Sequence, residues 1–212
     1  EKHPTIAARY QIKGIPNVKL FVDGQVTDEF VGARSEQQVV EWLDTALPSK
    51  YQLQLDGAKQ LITENKVQQA TELLEVVLAA EPNNEEALVL LAQALLASDP
   101  KQAMKIIEPI GMDSKYFDRV EAVRTLYDLF DRINEPQSLD EKPIKNTYLK
   151  AIHAVKSNNF ESALDGFIET VRNDRYYDKD GARKACIAIF DLLGSDHEFT
   201  KHFRPTLGSA LF

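Results

Sequence analysis

The feature that most constrains the fold is a change of hydrophobic period near residue 50. Before this point, Val18, Leu20 and Val22 occupy alternate positions, as in a β-strand. After Tyr51, apolar residues recur at the three- and four-residue spacing of an α-helix. We therefore expect a small α+β segment over residues 1–48, followed by an all-α segment over residues 49–212.

The first segment carries signals for a helix, a β-hairpin and a second helix. A helix is predicted over residues 5–10, and Asp23-Gly24 is a strong signal for a type I′ hairpin turn. Ser35 followed by Gln38 forms a capping-box pattern, which predicts a helix from Glu36 to Ala46. Because a lone hairpin is marginally stable in water, we expect this unit to be incomplete by itself.

Three motifs of this segment resemble the C-terminal half of thioredoxin. They are Ala7-Ala8-Arg9-Tyr10-Gln11-Ile12-Lys13-Gly14-Ile15-Pro16, Leu20-Phe21-Val22-Asp23-Gly24 and Phe30-Val31-Gly32-Ala33. The resemblance implies a partial thioredoxin fold in which the Ile15–Pro16 bond is cis. It also implies that the backbone just before Pro16 pairs with an extended substrate peptide. From the residues alone, Gly14-Ile15-Pro16 also fits a plain tight turn into a strand.

The chain has one cysteine, Cys186, which excludes an internal disulfide and a multi-cysteine zinc site. It also excludes a Cys-X-X-Cys motif, which in thioredoxins lies in the first half of the domain. Dithiol exchange needs a low-pKa thiolate and a resolving thiol, so we expect no enzymatic activity from this chain. Cys186 is at helical spacing from Ala182, Ile189 and Phe190, which favours a buried core thiol over a redox sensor.

The helical segment follows the tetratricopeptide template, in which small and large residues recur over about 34 positions. One repeat starts at Tyr51, a second at Glu85, and a further repeat surrounds the turn Ser157-Asn158-Asn159. The pair between them is weak, because residues 134–143 carry two prolines and little periodicity. In such arrays, stacked helix pairs bury a continuous core. A plain helical bundle is the alternative.

The first helix of each repeat has template positions that line a concave groove. Together with Ile15 and Pro16, the apolar residues at these positions are the candidate peptide-binding residues: Leu55, Ile62, Val89, Leu96, Tyr148, Ile152 and Val155. Polar groove positions include Lys59 and Gln93. A mostly apolar groove suits hydrophobic segments of a client protein better than one acidic tail. The alternative is that further helices fill the groove and make these residues core.

Two helices are predicted at the end of the chain. The first runs from Gly181 to Leu193, and Ser195 or Asp196 can cap the second, which Pro205 should kink or shorten. The second helix carries an apolar stripe formed by Phe199, Phe203, Leu207 and Leu211. We expect this stripe to pack over the last repeat, and docking to a partner is the alternative.

Charge and motif content argue against several other functions. A formal charge of -8 disfavours nucleic acid and, more weakly, an anionic membrane surface. The longest apolar stretch, Ala87 to Ala97, is too short to span a bilayer. His197 and His202 would not share a helical face, and no metal-ligand cluster or phosphate loop occurs, so we expect no metal and no cofactor. Without a signal-peptide pattern, the expected location is the cytoplasm.

The order of these parts resembles the bacterial chaperedoxin family of cytoplasmic thioredoxin–tetratricopeptide proteins, which have weak or no reductase activity. Residues 173–184 and the end of the chain also resemble the C-terminus of that family. The resemblance implies a stress-linked holdase or co-chaperone that holds unfolding clients and passes them to the chaperonin and the Hsp70 system. Two alternatives stay open. One is a thiol–disulfide oxidoreductase whose catalytic half is missing here, and the other is a scaffold for one specific partner.

Overall fold

The computed structural model describes residues 4–22, 24–47 and 51–211. The chain divides into two compact units, Glu1–Gln52 and Leu53–Phe212. The boundary predicted from the sequence, after residue 48, lies outside the described residues.

The first unit is a helix, a two-stranded antiparallel sheet and a second helix, which confirms the predicted order. Its elements are α1 (Pro4–Arg9), β1 (Asn17–Val22), β2 (Gln25–Val31) and α2 (Glu36–Ala46). The strands pair from Asn17 opposite Val31 to Val22 opposite Gln25, with a register shift after Leu20.

Two turn signals of this unit have the expected local geometry. Gly24 has a φ of +80°, the left-handed conformation that a type I′ turn requires, whereas Asp23 lies outside the described residues. Before α2, the Ser35 hydroxyl oxygen accepts from the Gln38 backbone N–H at 3.3 Å. The Gln38 side-chain oxygen accepts from the Ser35 backbone N–H at 2.9 Å, so the predicted capping box is formed.

The sheet of the first unit buries little apolar surface. Phe30 is buried against Trp42, with ring centroids 4.8 Å apart, and the Trp42 indole donates to the Asp28 carboxylate at 2.8 Å. In contrast, the side chains of Ile15 and Val31 are 87% and 63% exposed. This exposure is what a lone two-stranded sheet is expected to show.

The described residues of the second unit form helices and connecting segments without a strand, which confirms the predicted array. Its helices are α3 (Gln52–Thr63), α4 (Val67–Ala80), α5 (Glu85–Leu95), α6 (Pro100–Ile107), α7 (Phe117–Asn134), α8 (Lys145–Lys156), α9 (Phe160–Asn173), α10 (Gly181–Leu193) and α11 (Glu198–Ala210). Helices that are consecutive in the chain pack together, such as α5 with α6 and α8 with α9.

A glycine lets the helices of the later repeat approach closely. A Cβ added to Gly166 of α9 would lie 2.9 Å from the Cβ of Ala151 in α8, which is closer than two carbon atoms pack. In the turn between the two helices, the Asn159 side chain accepts from the Ser162 backbone N–H at 3.1 Å and caps α9. The predicted turn at residues 157–159 therefore starts a tightly packed helix pair.

The middle of the array departs from a regular repeat. α6 ends at Ile107, before the predicted end at Ile110, and α7 runs for 18 residues. The described chain between α7 and α8 contains a 3-10 helix, Pro136–Ser138, but no second α-helix. α7 instead packs against α10, far along the chain. The weak repeat predicted here is therefore a single long helix with a distant partner.

The boundaries of α10 are confirmed, whereas the cap of α11 differs from the prediction. Gly194 follows α10 with a φ of +85°, as a glycine at a helix end commonly does. The cap of α11 is His197, whose Nδ1 accepts from the Phe199 backbone N–H at 3.2 Å. The prediction of Ser195 or Asp196 as the cap is wrong because the helix begins later, at Glu198.

Pro205 lies inside α11, and the helix continues beyond it to Ala210. The predicted shortening of this helix is therefore wrong. Phe203 and Leu207, on either side of the proline, are 4% and 5% exposed and belong to the core. We attribute the continuity to this burial, which holds both halves of the helix against one surface and compensates for the missing backbone hydrogen bond.

A partly buried polar cluster, which we call the Tyr148 cluster, joins α7, α8 and the start of α10. It comprises Arg132, Tyr148, Asp178 and Gly181. The Tyr148 hydroxyl and Arg132 Nε both donate to Asp178 Oδ2 at 2.9 Å. Burial and the Asp178 carboxylate raise the pKa of Tyr148, so its hydroxyl stays protonated. A Cβ on Gly181 would lie 2.2 Å from the Tyr148 hydroxyl oxygen, so glycine alone fits there without displacement.

Candidate functional site

The second unit contains a pocket of about 240 Å³ bounded by α3, α5, α7, the turn between α8 and α9, and the loop between α10 and α11. Its lining includes both charged and amide side chains. Its charged and amide residues are Lys59, Asn65, Gln93, Arg119, Asn158 and Asp191. Apolar pockets with a few converging polar groups are the usual form of binding sites, so this pocket is the candidate site.

One wall of the pocket carries a charge network around Glu86. Lys59 Nζ lies 2.6 Å from Glu86 Oε1 and 2.9 Å from Asp56 Oδ1, and the Tyr116 hydroxyl donates to Glu86 Oε2 at 2.7 Å. Burial alone would raise the pKa of Glu86, but the hydrogen bonds from Lys59 and Tyr116 hold it below the ordinary value. Because two carboxylates already match its charge, Lys59 offers little attraction to an anionic ligand.

Arg119 of α7 is a largely buried cation whose hydrogen bonds go to neutral acceptors. Its Nη2 donates to the Gln93 side-chain oxygen at 2.8 Å and to the Leu192 carbonyl oxygen at 3.5 Å. Its Nε is buried without an acceptor, and no carboxylate of the described residues forms an ion pair with it. Burial lowers the pKa of Arg119, yet a guanidinium stays protonated in proteins. Arg119 therefore contributes a positive charge that has no direct ion pair, although the Glu86 carboxylate interacts with it electrostatically.

Two asparagines from distant parts of the sequence close the pocket on one side. Asn65 follows α3 and Asn158 follows α8, and both adopt left-handed φ values of +57° and +53°. Asn158 Nδ2 donates to Asn65 Oδ1 at 2.9 Å. This hydrogen bond joins the turn of the first repeat to the turn of the later repeat.

The rest of the lining is mainly apolar. Half-buried side chains from α3, α9 and the end of α10 onward contribute Ile62, Phe160, Leu193 and Phe199. Asp191 is the acidic residue of the lining, and burial together with the neighbouring Asp118 raises its pKa. The pocket thus offers apolar contact, polar side chains that can donate and accept hydrogen bonds, and one carboxylate.

The structure corrects the predicted apolar groove. Of its seven residues, Ile62 lines the pocket. The other six are at most 5% exposed: Leu55, Val89, Leu96, Tyr148, Ile152 and Val155. Five of these six residues, all except Leu55, belong to one core together with residues of α7 and α10. In an open groove these side chains would face solvent, but here α7 and α10 contribute to the core that covers them. Their burial contradicts an accessible groove and matches the alternative in which further helices fill it.

The candidate peptide-binding residues of the first unit lie at the surface. The Ile15–Pro16 bond is cis, which confirms what the thioredoxin resemblance implied. Both Ile15 and Pro16 are exposed, and the Pro16 carbonyl oxygen accepts from the Gly32 backbone N–H at 2.8 Å. The pairing of a substrate peptide with the backbone before Pro16 stays a prediction.

The apolar stripe of α11 packs against the second unit. Phe203 and Leu207 are buried in its core, and Phe199 and Leu211 pack half-buried at the edge. This packing matches the interpretation of α11 as a cap over the last repeat. Partner docking on the stripe stays a prediction, and without a conformational change Phe199 and Leu211 are the residues a partner could contact.

Cys186 is a core thiol, as its helical spacing predicted. It is fully buried in α10, and burial raises the pKa of its thiol to about 12. Since the thiolate is the reactive form, this side chain is unreactive in the folded unit at neutral pH.

In the part of the chain that the structure describes, no group of three or more His, Cys, Asp or Glu side chains is placed to hold a metal ion. His197 acts as a helix cap, and the ring of His202 packs on Phe203, with centroids 4.8 Å apart. No described helix is both long and apolar enough to cross a membrane.

The repeat template identified some pocket residues and missed others. Lys59, Ile62 and Gln93 are groove positions of the template, and all three line the pocket. The two asparagines were missed because they lie in turns, although Asn in a left-handed conformation at a helix end is a known signal. No sequence pattern near Arg119 indicates that it lines a pocket, because α7 does not follow the regular tetratricopeptide template.

Comparison with known families divides the chain in the same order. Residues 1–45 match the thioredoxin family, and residues 61–125 and 140–212 match two tetratricopeptide repeat families. The residues between the two repeat matches include the end of α7 and the 3-10 helix, where the regular repeat is lost.

Two thioredoxins of Arabidopsis thaliana are similar to the first unit. Thioredoxin Y2, chloroplastic, is 42% identical over 50 residues, which are 24% of this chain and 30% of that protein. Thioredoxin Y1, chloroplastic, is 38% identical over 50 residues, which are 24% of this chain and 29% of that protein. The chain therefore spans less than a third of the length of these relatives. It combines a thioredoxin-like segment with tetratricopeptide repeats.

Proposed function

We propose that this chain is a protein-binding co-chaperone of the holdase type, which holds unfolding clients and passes them to the chaperonin and Hsp70 systems under stress. The repeat matches indicate a role in protein–protein interaction. The thioredoxin-like segment before the repeats supports the finer assignment, because that order is the basis of the resemblance to chaperedoxins. A location in the cytoplasm is part of the same proposal.

The observation that carries the proposal is the order of a thioredoxin-like segment followed by tetratricopeptide repeats, and we propose the client site at the apolar side chains that the first unit exposes. Large apolar side chains of the short helix and the hairpin are 38–87% exposed: Ile6, Ile15, Val18, Phe21, Val26 and Val31. Apolar side chains concentrated on so small an element favour association with hydrophobic segments of other proteins.

The test is light scattering of chemically unfolded citrate synthase, with this protein titrated in before and after mild hypochlorite treatment. The wild type should suppress aggregation, and the double variant Ile15→Glu, Val31→Glu should lose most of the suppression. Gln25→Glu with Gln37→Glu is the matched control, because it adds the same charge at exposed polar positions. No suppression by the wild type under either condition would refute the holdase proposal. Equal suppression by both double variants would exclude the hairpin as the client site.

A second candidate is thiol–disulfide exchange in a longer protein that contains this chain. The similarity of the first unit to two thioredoxins favours it. Because Cys186 is buried, we expect this chain alone not to accelerate the reduction of insulin by dithiothreitol. Acceleration would instead support the oxidoreductase. A scaffold for one partner would be indicated if unrelated unfolded proteins fail to bind.

A further inference from the structure

We propose that the first turn of α11 is a pH-sensitive gate of the pocket, closed while His197 is neutral and opened when its imidazole is protonated. We define the gate as residues 194–200, which form one side of the pocket through His197 and Phe199. This inference concerns the helical unit and does not depend on the holdase proposal, whose client site lies on the first unit.

A hydrogen bond that only a neutral imidazole can accept holds the gate closed. His197 Nδ1 accepts from the Phe199 backbone N–H at 3.2 Å and caps α11. Because Nδ1 must carry a lone pair for this bond, a proton on it removes the acceptor. The protonated ring would also place a positive charge at the N-terminus of a helix, where the helix dipole disfavours cations. Protonation therefore removes the cap and adds a repulsion.

The residues that make this cap are also part of the pocket wall. His197 and Phe199 both line the pocket, and their ring centroids lie 5.1 Å apart. Phe199 is half-buried at the edge of the core, whereas Phe203 and Leu207 in the following turns are buried. We expect loss of the cap to move the first turn away from the pocket while the rest of α11 stays in place.

A buried hydroxyl makes the closed position of this turn unfavourable in one respect. Thr200 is 2% exposed, and its Oγ1 is buried without a hydrogen-bond partner among the described residues. A buried hydroxyl without a partner costs free energy that hydration in the open state would return. The closed turn is therefore favoured by a small margin, and one cap hydrogen bond can decide the balance.

The charged side chains of the pocket do not hold a protonated His197 in place. They are Lys59 of α3, Arg119 of α7 and Asp191 of α10, while α9 contributes the uncharged Phe160. Burial and a neighbouring carboxylate raise the pKa of Asp191, so a negative charge is disfavoured there. In the closed position an imidazolium would share the lining with two cations and with a carboxyl group whose charged form burial disfavours.

The carboxylates next to His197 in the chain, Asp196 and Glu198, lie at the surface. The Asp196 side chain is 99% exposed and pairs with Lys201 at 3.3 Å, and Glu198 is exposed. Both can stay beside the imidazolium when the turn opens, so they do not favour the closed position. Imidazoles change charge between about pH 5 and about pH 8. We therefore expect a closed gate at about pH 7.5 and an open gate at about pH 5.5.

Paramagnetic relaxation by a dissolved, neutral gadolinium chelate tests the inference on protein labelled with ¹⁵N-phenylalanine. The enhancement measures how exposed each backbone amide proton is, and a neutral chelate is not repelled by an imidazolium. The enhancement at the Phe199 amide should rise at least about threefold from about pH 7.5 to about pH 5.5, because a helix cap shifts such an equilibrium by roughly fivefold. The Phe203 amide, in the buried part of the same helix, should change by less than about 1.5-fold.

The matched variants are His197→Asn and His202→Asn, which each remove one imidazole from α11. Asparagine is a strong helix cap and does not titrate in this pH range, so His197→Asn should keep the Phe199 amide protected at both pH values. The His202 ring packs on Phe203 and is not part of the pocket lining, so His202→Asn should keep the rise. Circular dichroism checks that both variants are folded. If His197→Asn is not folded, the comparison of Phe199 with Phe203 in the wild type and in His202→Asn decides.

An enhancement at Phe199 that does not change with pH in the wild type would overturn the inference. An equal rise in folded His197→Asn would do the same, because that variant has no imidazole at the cap. Equal rises at Phe199 and Phe203 would also overturn it, since they would indicate unfolding of the whole helix rather than opening of its first turn.

Discussion

Replacement of Gly181 by alanine should destabilise the helical unit by about 2–6 kcal/mol. The added carbon would lie 2.2 Å from the hydroxyl oxygen of Tyr148, a fully buried side chain that must then move. Overpacking a core costs about 1–3 kcal/mol, and separating the hydroxyl from the Asp178 carboxylate removes a hydrogen bond worth about 1.5–3 kcal/mol. The higher helix propensity of alanine offsets up to about 1 kcal/mol, because Gly181 begins α10.

Urea denaturation followed by far-UV circular dichroism measures this change. With a slope of about 2 kcal/mol per molar urea, the midpoint should fall by about 1–3 M. Gly208→Ala in α11 is the matched control, since an added Cβ there meets no atom within 4 Å and should stabilise by up to about 1 kcal/mol. Tyr148→Phe removes the oxygen that the new methyl meets, so the double variant should be less destabilised than the sum of the single variants. Additive effects, or an unchanged midpoint for Gly181→Ala, would refute the reasoning.

Three further predictions concern a thiol, a buried carboxylate and a helix cap. Iodoacetamide should label Cys186 at least about 100-fold more slowly in the folded protein than in urea, because burial suppresses the thiolate; similar rates by mass spectrometry would contradict this. The pKa of Glu86 is lower in the folded than in the unfolded chain, so its contribution to stability is complete above about pH 4.5 and is lost as the pH falls through the folded-state pKa. In urea titrations between about pH 6 and about pH 3, the free energy of unfolding of Glu86→Gln should therefore fall less with pH than that of the wild type. An equally steep fall would contradict this role of Glu86. Ser35→Ala should destabilise the first unit by about 1 kcal/mol, measured by unfolding followed through Trp42 fluorescence, and an unchanged midpoint would show that the cap is dispensable.

The elements that could be predicted are those decided by residues close in sequence. The capping box at Ser35 and Gln38 and the boundaries of α10 depend on hydrogen bonds and left-handed residues within one turn of the helix end. Pro205 shows the opposite case, because its local preference to end a helix is overridden by the burial of Phe203 and Leu207. Contacts across the fold decided this element, and no local signal reveals them.

The candidate site could be predicted only in part, for the same reason. The repeat template indicated Lys59, Ile62 and Gln93 as groove positions, and all three line the pocket, although Gln93 itself is buried. It could not show that α10 packs on α7, which turns residues such as Ile152 from a binding face into core. The same packing makes Arg119 a wall of the pocket, although it belongs to a helix without a regular repeat partner.

The helical unit has contacts between helices that are far apart in the chain, unlike an open stack of repeats. In an open stack, each repeat touches its neighbours alone, so the terminal repeats can unfold while the rest stays folded. Here α10 packs on α7, and the Asn65–Asn158 hydrogen bond joins the first repeat to the later one. Loss of α10 would therefore expose core residues of α7 and α9 that it covers. We expect the unit to unfold in a single cooperative transition, with amide hydrogens of α11 exchanging as slowly as those of α7.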